Sequence, residues 1–188
     1  KTWNEITTEA APEAENVEIF SYQFGWTARY AGNDNVLGAF DYKLTTPENQ
    51  YGIMTRKNIE AAIDKMRVGG PGEEGIELIE SKLNDETIVI PVSERKKLKT
   101  DLARKQRMIR LLDQMEQNYA DSLDAYAEND VIVGDSLILL KGQEYNFSFR
   151  SKDVIHSALF PHFRAQMNTV PGMTTYFKLQ PIYTTDEM

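Results

Sequence analysis

The two histidines of the chain lie in one short segment, residues 150–173, which reads RSKDVIHSALFPHFRAQMNTVPGM. An imidazole can pack in a core, transfer a proton or bind a metal ion. His156 and His162 are six residues apart, and Pro161 stands between them. They therefore do not share one face of a helix, and a two-histidine metal site built from this segment alone is not expected.

Nucleophilic catalysis is not predicted either. Ser151, Asp153 and His156 are too close along one strand and its turn to adopt the geometry of a Ser–His–acid triad. The chain contains no cysteine, which excludes disulfides, zinc–thiolate sites and thiol catalysis within it. No catalytic residue is therefore predicted. From the residues alone, His156 is either a hydrogen-bonded core histidine or a metal ligand whose partners lie elsewhere.

Composition limits the class of protein and its partners. With 188 residues, 41% of them hydrophobic, the chain has the size of one domain, or of one domain that carries a large insertion. The 21 basic and 29 acidic side chains give a net charge of −8, which argues against nucleic-acid binding and favours a basic protein partner. No run of 18 apolar residues occurs, so the chain as given is expected to be soluble. Because it begins with lysine, we expect it to be processed or truncated at its N-terminus.

Strand-like and helix-like patterns divide the chain into parts. Residues 1–16 are polar and acidic, which predicts a linker or an extended arm. Residues 17–52 contain an aromatic-rich strand that is expected to end at Gly32, followed by a second strand and a loop. Alternating patterns return in residues 131–188. Because the strand-like patterns lie on both sides of residues 53–130, we expect them to form one β-domain. We therefore interpret residues 53–130 as an insertion into this domain.

The inserted segment is rich in residues that favour helices. Nine positions that step by four and three residues run from Leu98 to Tyr126, and seven of them are apolar. This heptad seam requires a facing helix. Ser93 is the predicted N-cap of the seam helix, and residues 73–86 are predicted to form the shorter second helix of a helical hairpin.

Charge is segregated along the predicted long helix. Residues 94–110 carry eight basic and two acidic side chains, whereas residues 113–130 carry six acidic and no basic ones. The helix dipole favours the opposite order, so the pattern suggests a counter-charge outside the helix. The six acidic side chains of residues 73–86 are a candidate. An ordinary solvated helix is the alternative.

Two motifs resemble a known family, cytochrome c oxidase subunit II. They are FRSKDVIHSALFPHFRAQMNTVPGMTTYFKLQP, residues 149–181, and the aromatic signature SYQFGWTARYAGND, residues 21–34. The resemblance covers roughly residues 17–50 and 131–181, in the order found in the family. It implies a mainly β, cupredoxin-like Greek-key sandwich or barrel. With the inserted helical hairpin, the expected class is α+β overall.

The resemblance also implies a metal site. In the family, the histidine of the DVIHS motif binds CuA, a dinuclear copper centre, and His156 takes this position. Asp153 and Ser157 flank this ligand, where they would orient its ring. Phe24 stands where the family usually has the tryptophan that accepts electrons from cytochrome c, and Trp26 keeps the second aromatic position.

The chain departs from the family in one important respect. The remaining copper ligands of the family lie in a loop of the form Cys-x-Glu-x-Cys-x-x-x-His-x-x-Met, which does not occur in these 188 residues. We therefore expect the chain to be truncated before this loop. Copper is implied for the full-length protein and not for the chain as given. No family role transfers to His162.

The function implied by the resemblance is that of an electron-accepting subunit of a haem–copper respiratory oxidase. The subunit would take electrons from cytochrome c and relay them through CuA to the catalytic subunit I, without being a complete enzyme itself. Other oxidase subunits could bind residues 53–130. Missing N-terminal helices would anchor the protein in a bacterial inner membrane, with this domain on the periplasmic side. The alternatives are a structural subunit of the quinol-oxidase type, which lacks CuA, and a non-redox interaction module based on the helical insertion.

Overall fold

A computed structural model describes residues 3–187. The helices are α1 (Trp3–Ile6), α2 (Arg56–Val68), α3 (Ile76–Asn84), α4 (Val92–Asn118) and α5 (Asp124–Asn129). The strands are β1 (Glu15–Tyr22), β2 (Gly25–Tyr30), β3 (Gly69–Gly70), β4 (Glu73–Glu74), β5 (Val131–Gly134), β6 (Tyr145–Ser151), β7 (His156–Phe160), β8 (Ala165–Thr169) and β9 (Thr175–Leu179). Within residues 3–187, no helix combines the length and the apolarity needed to span a bilayer.

The chain forms two compact units. The first comprises the residues up to Ala39 and those from Ala125 onward, and we call it the sheet unit. The second is Phe40–Asp124, which we call the helical unit.

A five-stranded mixed sheet with the order β5-β2-β1-β6-β9 dominates the sheet unit. The central strand β1 pairs antiparallel with β2 and parallel with β6, so strands from both sides of residues 53–130 are neighbours in one sheet. Strands β7 and β8 form a separate antiparallel hairpin. Together with the helices, this arrangement agrees with the predicted α+β class, and the two sheets are compatible with a β-sandwich.

Two strand predictions require correction. The aromatic-rich segment 17–32 forms two strands rather than one, because the chain turns between Tyr22 and Gly25. A Cβ atom at Gly25 would lie 2.7 Å from the Tyr22 ring, so a larger residue there would displace this ring. The strand predicted after this segment is wrong. There, the Asp41 carboxylate accepts a 2.9 Å hydrogen bond from the backbone N–H of Lys43 and caps the short 3-10 turn Tyr42–Leu44.

One face of the sheet carries the apolar core of the sheet unit. Val17 and Ile19 of β1 lie on this face beside a cluster of phenylalanine rings from β6, β7 and β9. Phe147, Phe149 and Phe177 are at most 2% exposed, and the Phe149 and Phe177 ring centroids lie 4.8 Å apart. Burying each such ring contributes about 1.5–3 kcal/mol. This core holds β7, and with it the histidine at its start, against the sheet.

The opposite face of the sheet buries a charge network. Glu18 of β1 is 2% exposed and accepts hydrogen bonds from Arg29 of β2 and from Arg150 of β6. The N–O distances are 3.1 Å to Arg29 and 2.6 and 2.8 Å to Arg150. Arg29 also donates to the buried Asp130 carboxylate at 2.9 Å. The network joins three adjacent strands through buried side chains.

Three helices form the helical unit, whereas the sequence predicted a two-helix hairpin. The additional helix, α2, begins where the Thr55 hydroxyl accepts a 3.1 Å hydrogen bond from the Asn58 N–H. Helices α2, α3 and α4 pack against one another. Their shared core contains buried aliphatic side chains: Leu44, Ile59, Ile63 and Leu112.

The predicted start of the long helix is wrong by two residues, because the prediction placed the N-cap at Ser93. Helix α4 begins at Val92, and Pro91 occupies the N-cap position without a capping side-chain hydrogen bond. Ser93 therefore lies inside the first turn. The fixed backbone angle of proline suits the start of a helix, and this preference replaces side-chain capping here.

The predicted seam also extends too far, because α4 ends at Asn118. Arg56 of α2 donates from its two terminal nitrogens to the carbonyl oxygens of Glu116 and Tyr119, at 3.0 and 2.9 Å. The Glu116 carbonyl also accepts the Tyr119 backbone N–H at 3.3 Å, so Arg56 adds a side-chain cap to this end of the helix. The long-range contact with α2 thus ends the helix before Tyr126.

Candidate functional site

His156 is the first residue of β7, and its ring is held by Asp153. The distance between His156 Nε2 and Asp153 Oδ1 is 2.7 Å. The Asp153 carboxylate also accepts the backbone N–H groups of Gln23, at 2.6 Å, and Val154, at 2.7 Å. The hydrogen bond with His156 lowers the pKa of Asp153 to about 2, and the N–H groups of Gln23 and Val154 act in the same direction. Asp153 is therefore ionised at neutral pH.

This contact determines which ring nitrogen of His156 is free. Because the Asp153 carboxylate can only accept, Nε2 carries the proton and donates. In the neutral imidazole, Nδ1 then keeps its lone pair, and it has no hydrogen-bond partner among the residues that the structure describes. A metal-binding histidine has this arrangement, with one nitrogen on a carboxylate and the other available to the ion.

Trp26 lies beside the histidine. Its ring centroid is 5.9 Å from that of His156, and the two planes meet at 74°, which is an edge-to-face contact. Trp26 is half-buried on the margin of the phenylalanine core. Phe24, in the turn between β1 and β2, is 93% exposed. The structure thus brings Trp26, His156 and Asp153 together and presents Phe24 to solvent from the same β1–β2 hairpin.

The other predicted residues lie apart from this group. The Ser157 hydroxyl accepts a 2.6 Å hydrogen bond from the Gln166 side chain on β8 and has no hydrogen bond with His156. His162 is exposed in the turn that follows the far end of β7. Across residues 3–187, no group of three or more His, Cys, Asp or Glu side chains is placed to hold a metal ion.

Two contacts of the site were not predicted from the sequence. The Gln23 N–H binds Asp153, which fixes the β1–β2 hairpin to the segment before β7. The Thr169 hydroxyl donates to the His156 carbonyl oxygen at 3.3 Å and lies 2.6 Å from the Ser21 hydroxyl. The Gln23–Asp153 and Ser21–Thr169 contacts join residues 130 and 148 positions apart, where no local spacing reveals them.

Comparison with known proteins gives a distant similarity over almost the whole chain. No family model matches the chain. The chain is 27% identical, over 184 residues, to an alternative cytochrome c oxidase subunit 2 from Bradyrhizobium diazoefficiens. The match covers 97% of this chain and 42% of the relative, so the chain spans less than half of that protein. This similarity supports a distant relationship to subunit 2 of the oxidases, and hence to components of oxidoreductase complexes in respiratory electron transport.

We predict that His156 controls the titration of Asp153. In the chain, the NMR-monitored midpoint of the Asp153 carboxyl should lie near 2, and in His156→Ala it should rise towards the ordinary value of 3.8. Because the pKa of Asp153 is lower in the folded state, the stabilisation from the ionised Asp153 carboxylate is complete above about pH 4. It is lost as the pH falls through the folded pKa. His162→Ala is the matched control and should leave the midpoint unchanged. An unchanged midpoint in His156→Ala would contradict the contact.

Proposed function

We propose that this chain is the extramembrane, cupredoxin-like part of subunit 2 of a haem–copper oxidase, where it takes part in accepting electrons from cytochrome c. The observation that carries this proposal is the group formed by Trp26, His156 and Asp153, beside the exposed Phe24. It occurs in a chain that aligns over 97% of its length with a protein named alternative cytochrome c oxidase subunit 2. As such a subunit, the chain would be a non-catalytic component of an enzyme.

The residues of this chain do not by themselves fit a dinuclear copper centre. Such a centre would supply one-electron transfer, and copper in electron-transfer sites favours thiolate and imidazole ligands. The chain offers the His156 imidazole and contains no thiolate. His156 is therefore the one copper ligand that we propose within it. Asp153 would orient the His156 ring, and Ser157, whose side chain binds Gln166, would act only through the backbone of β7.

The proposed domain organisation follows the pairing of the strands. Residues 17–52 and 131–188 would be the two parts of the cupredoxin-like domain, and the pairing of β1 with β6 across the intervening segment supports this division. Residues 53–130 would be the inserted helical part, and residues 1–16 the arm that precedes the domain. Strand β1 begins within that arm, at Glu15.

The partners and location are proposals of the same kind. The catalytic subunit I and cytochrome c would be the principal partners, and the net charge of −8 suits a basic cytochrome. The helical unit could contact further oxidase subunits. As the relative is bacterial, we place the protein at a bacterial inner membrane, with this domain on the periplasmic side and anchored by segments outside the chain.

A second candidate is a structural subunit 2 of the quinol-oxidase type without copper. The Asp153–His156 contact favours the first candidate, because a structural subunit has no need for an imidazole oriented with one nitrogen free. A non-redox interaction module, based on the helical unit, would likewise need neither His156 nor Phe24.

Oxidation of reduced cytochrome c by the assembled oxidase tests the proposed function. Phe24→Ala should lower kcat/KM about 30-fold, the loss typical of an interface aromatic worth about 2 kcal/mol. Phe24→Trp should retain the rate, because a larger aromatic ring keeps the contact. Tyr42→Ala is the control, since Tyr42 is an aromatic side chain in the other unit that is 74% exposed. Equal rates for Phe24→Ala and the parent oxidase would contradict this role of the hairpin.

A further inference from the structure

The predicted counter-charge for the basic half of α4 is largely absent. Of the acidic side chains in residues 73–86, only Glu73 forms an ion pair with this half of the helix, at 2.6 Å from Lys105. Glu74 instead pairs with Lys82, in its own segment. The charge segregation is therefore not explained by pairing within the helical unit.

Six cations of α4 remain without an ion pair to any acidic group within residues 3–187: Arg95, Lys96, Lys97, Lys99, Arg107 and Arg110. All except Arg95 are exposed. Four of the six lie in the first turns of the helix, where the helix dipole opposes positive charge. Such a group gains nothing from its own helix, and an anionic partner would stabilise it.

Apolar side chains precede these cations and are also uncovered. Val89 and Val92 are 95% and 87% exposed, and Ile88 is 44% exposed. Val92 also lines a shallow groove along one side of α4, together with Arg95, Lys96, Lys99, Thr100 and Ala103. The groove combines an apolar floor with cationic side chains whose aliphatic stems can lie along an apolar surface.

We propose that residues 88–99 form a docking surface for a membrane that contains anionic lipid. The cations would face the headgroups, and the exposed valines would enter the boundary between headgroups and acyl chains. Three of the four cations in this stretch are lysines, a residue that is depleted in protein–protein interfaces, and this favours a lipid surface over an acidic protein. Glu94 is the one acidic side chain among residues 88–99, and the nearby Asp85 carboxylate is occupied by Thr87.

This surface lies in the helical unit, so it is independent of the histidine site and of the proposed oxidase function. It would give the protein a peripheral contact with the bilayer in addition to the proposed membrane anchor. Because the attraction is electrostatic, binding should weaken as the salt concentration rises.

Vesicle co-sedimentation of the chain tests the proposal. At low ionic strength, the chain should bind vesicles of equal parts phosphatidylglycerol and phosphatidylcholine and should not bind vesicles of phosphatidylcholine alone. Lys96→Glu combined with Lys99→Glu should weaken binding about 25-fold or more, at roughly fivefold for each basic residue removed. Lys57→Glu combined with Lys65→Glu, on α2, makes the same change in net charge and should have little effect.

A second pair tests the apolar contribution. Val89→Ser combined with Val92→Ser should weaken vesicle binding, while the fold is retained because both side chains are exposed. Failure to bind the anionic vesicles, or equal binding by the α4 and α2 lysine variants, would overturn the proposal. Self-association of the chain that is lost with Lys96→Glu and Lys99→Glu would instead assign the surface to a second copy.

Discussion

Replacing Glu18 by glutamine is expected to destabilise the sheet unit by about 3–5 kcal/mol, the effect of removing one partner from a buried ion pair. Glutamine has nearly the same shape as glutamate but carries no charge. Arg29 and Arg150, which are 1% and 7% exposed, would then keep their charges in the interior without the carboxylate between them. Urea unfolding followed by tryptophan fluorescence would measure the change in the free energy of unfolding.

The same variant should alter the response to acid. Burial alone would raise the pKa of Glu18, but the hydrogen bonds and charges of Arg150 and Arg29 outweigh it and hold the pKa below the ordinary value of 4.5. Because the pKa is depressed in the folded state, this stabilisation is complete above about pH 4.5 and is lost as the pH falls through the folded pKa. Glu18→Gln should therefore show a shallower loss of stability in this range than the parent chain.

The matched control is Glu13→Gln, at an exposed position two residues before β1. Its effect should stay within about 0.5 kcal/mol, as is usual for surface substitutions. If Glu18→Gln and Glu13→Gln had equal effects, the network joining β1, β2 and β6 would not exist in solution.

Truncation of Phe147 to alanine should destabilise the sheet unit by about 3–5 kcal/mol, the usual range for a buried phenylalanine. Phe147 is 0% exposed, and its ring centroid lies 6.0 Å or less from those of Phe160 and Phe177. Removing the ring leaves a cavity between the sheet and β7 that these neighbours cannot fill without moving. Thermal unfolding and urea unfolding would both record the loss.

Phe24→Ala provides the comparison for Phe147→Ala, since it is the same truncation in the same unit at a side chain that is 93% exposed. It should change the free energy of unfolding by no more than about 0.5 kcal/mol. Phe24 would then affect cytochrome c oxidation and not folding. Similar destabilisation by the two substitutions would contradict the placement of Phe147 in the core.

The sequence indicated the general plan of the fold, because its signals are local. Alternating apolar residues predicted β1, and the four-and-three spacing predicted α4. Charged residues on strands were harder to interpret. Glu18 and Arg29 look like solvent-facing positions in an alternating pattern, yet both faces of β1 are buried. The pairing that neutralises them depends on Arg150, 132 residues after Glu18, which no local pattern reveals.

The candidate site was predictable only in part for the same reason. The motif around His156 identified the histidine and its neighbour Asp153. It did not reveal that Asp153 binds the Gln23 N–H, because these residues are 130 positions apart. The 93% exposure of Phe24 and the half-buried position of Trp26 depend on the chain turning between Tyr22 and Gly25, which the predicted single strand did not include. Long-range contacts and this turn together determine the arrangement of the site.

The most direct test of the proposed function is the copper content of the full-length native polypeptide that contains this chain, measured for the parent protein, His156→Ala and His162→Ala. The expected result is bound copper in the parent protein, loss of that copper in His156→Ala and full retention in His162→Ala. A parent protein without copper, or copper retained in His156→Ala, would contradict the assignment of His156 as a ligand and would favour the structural subunit without copper.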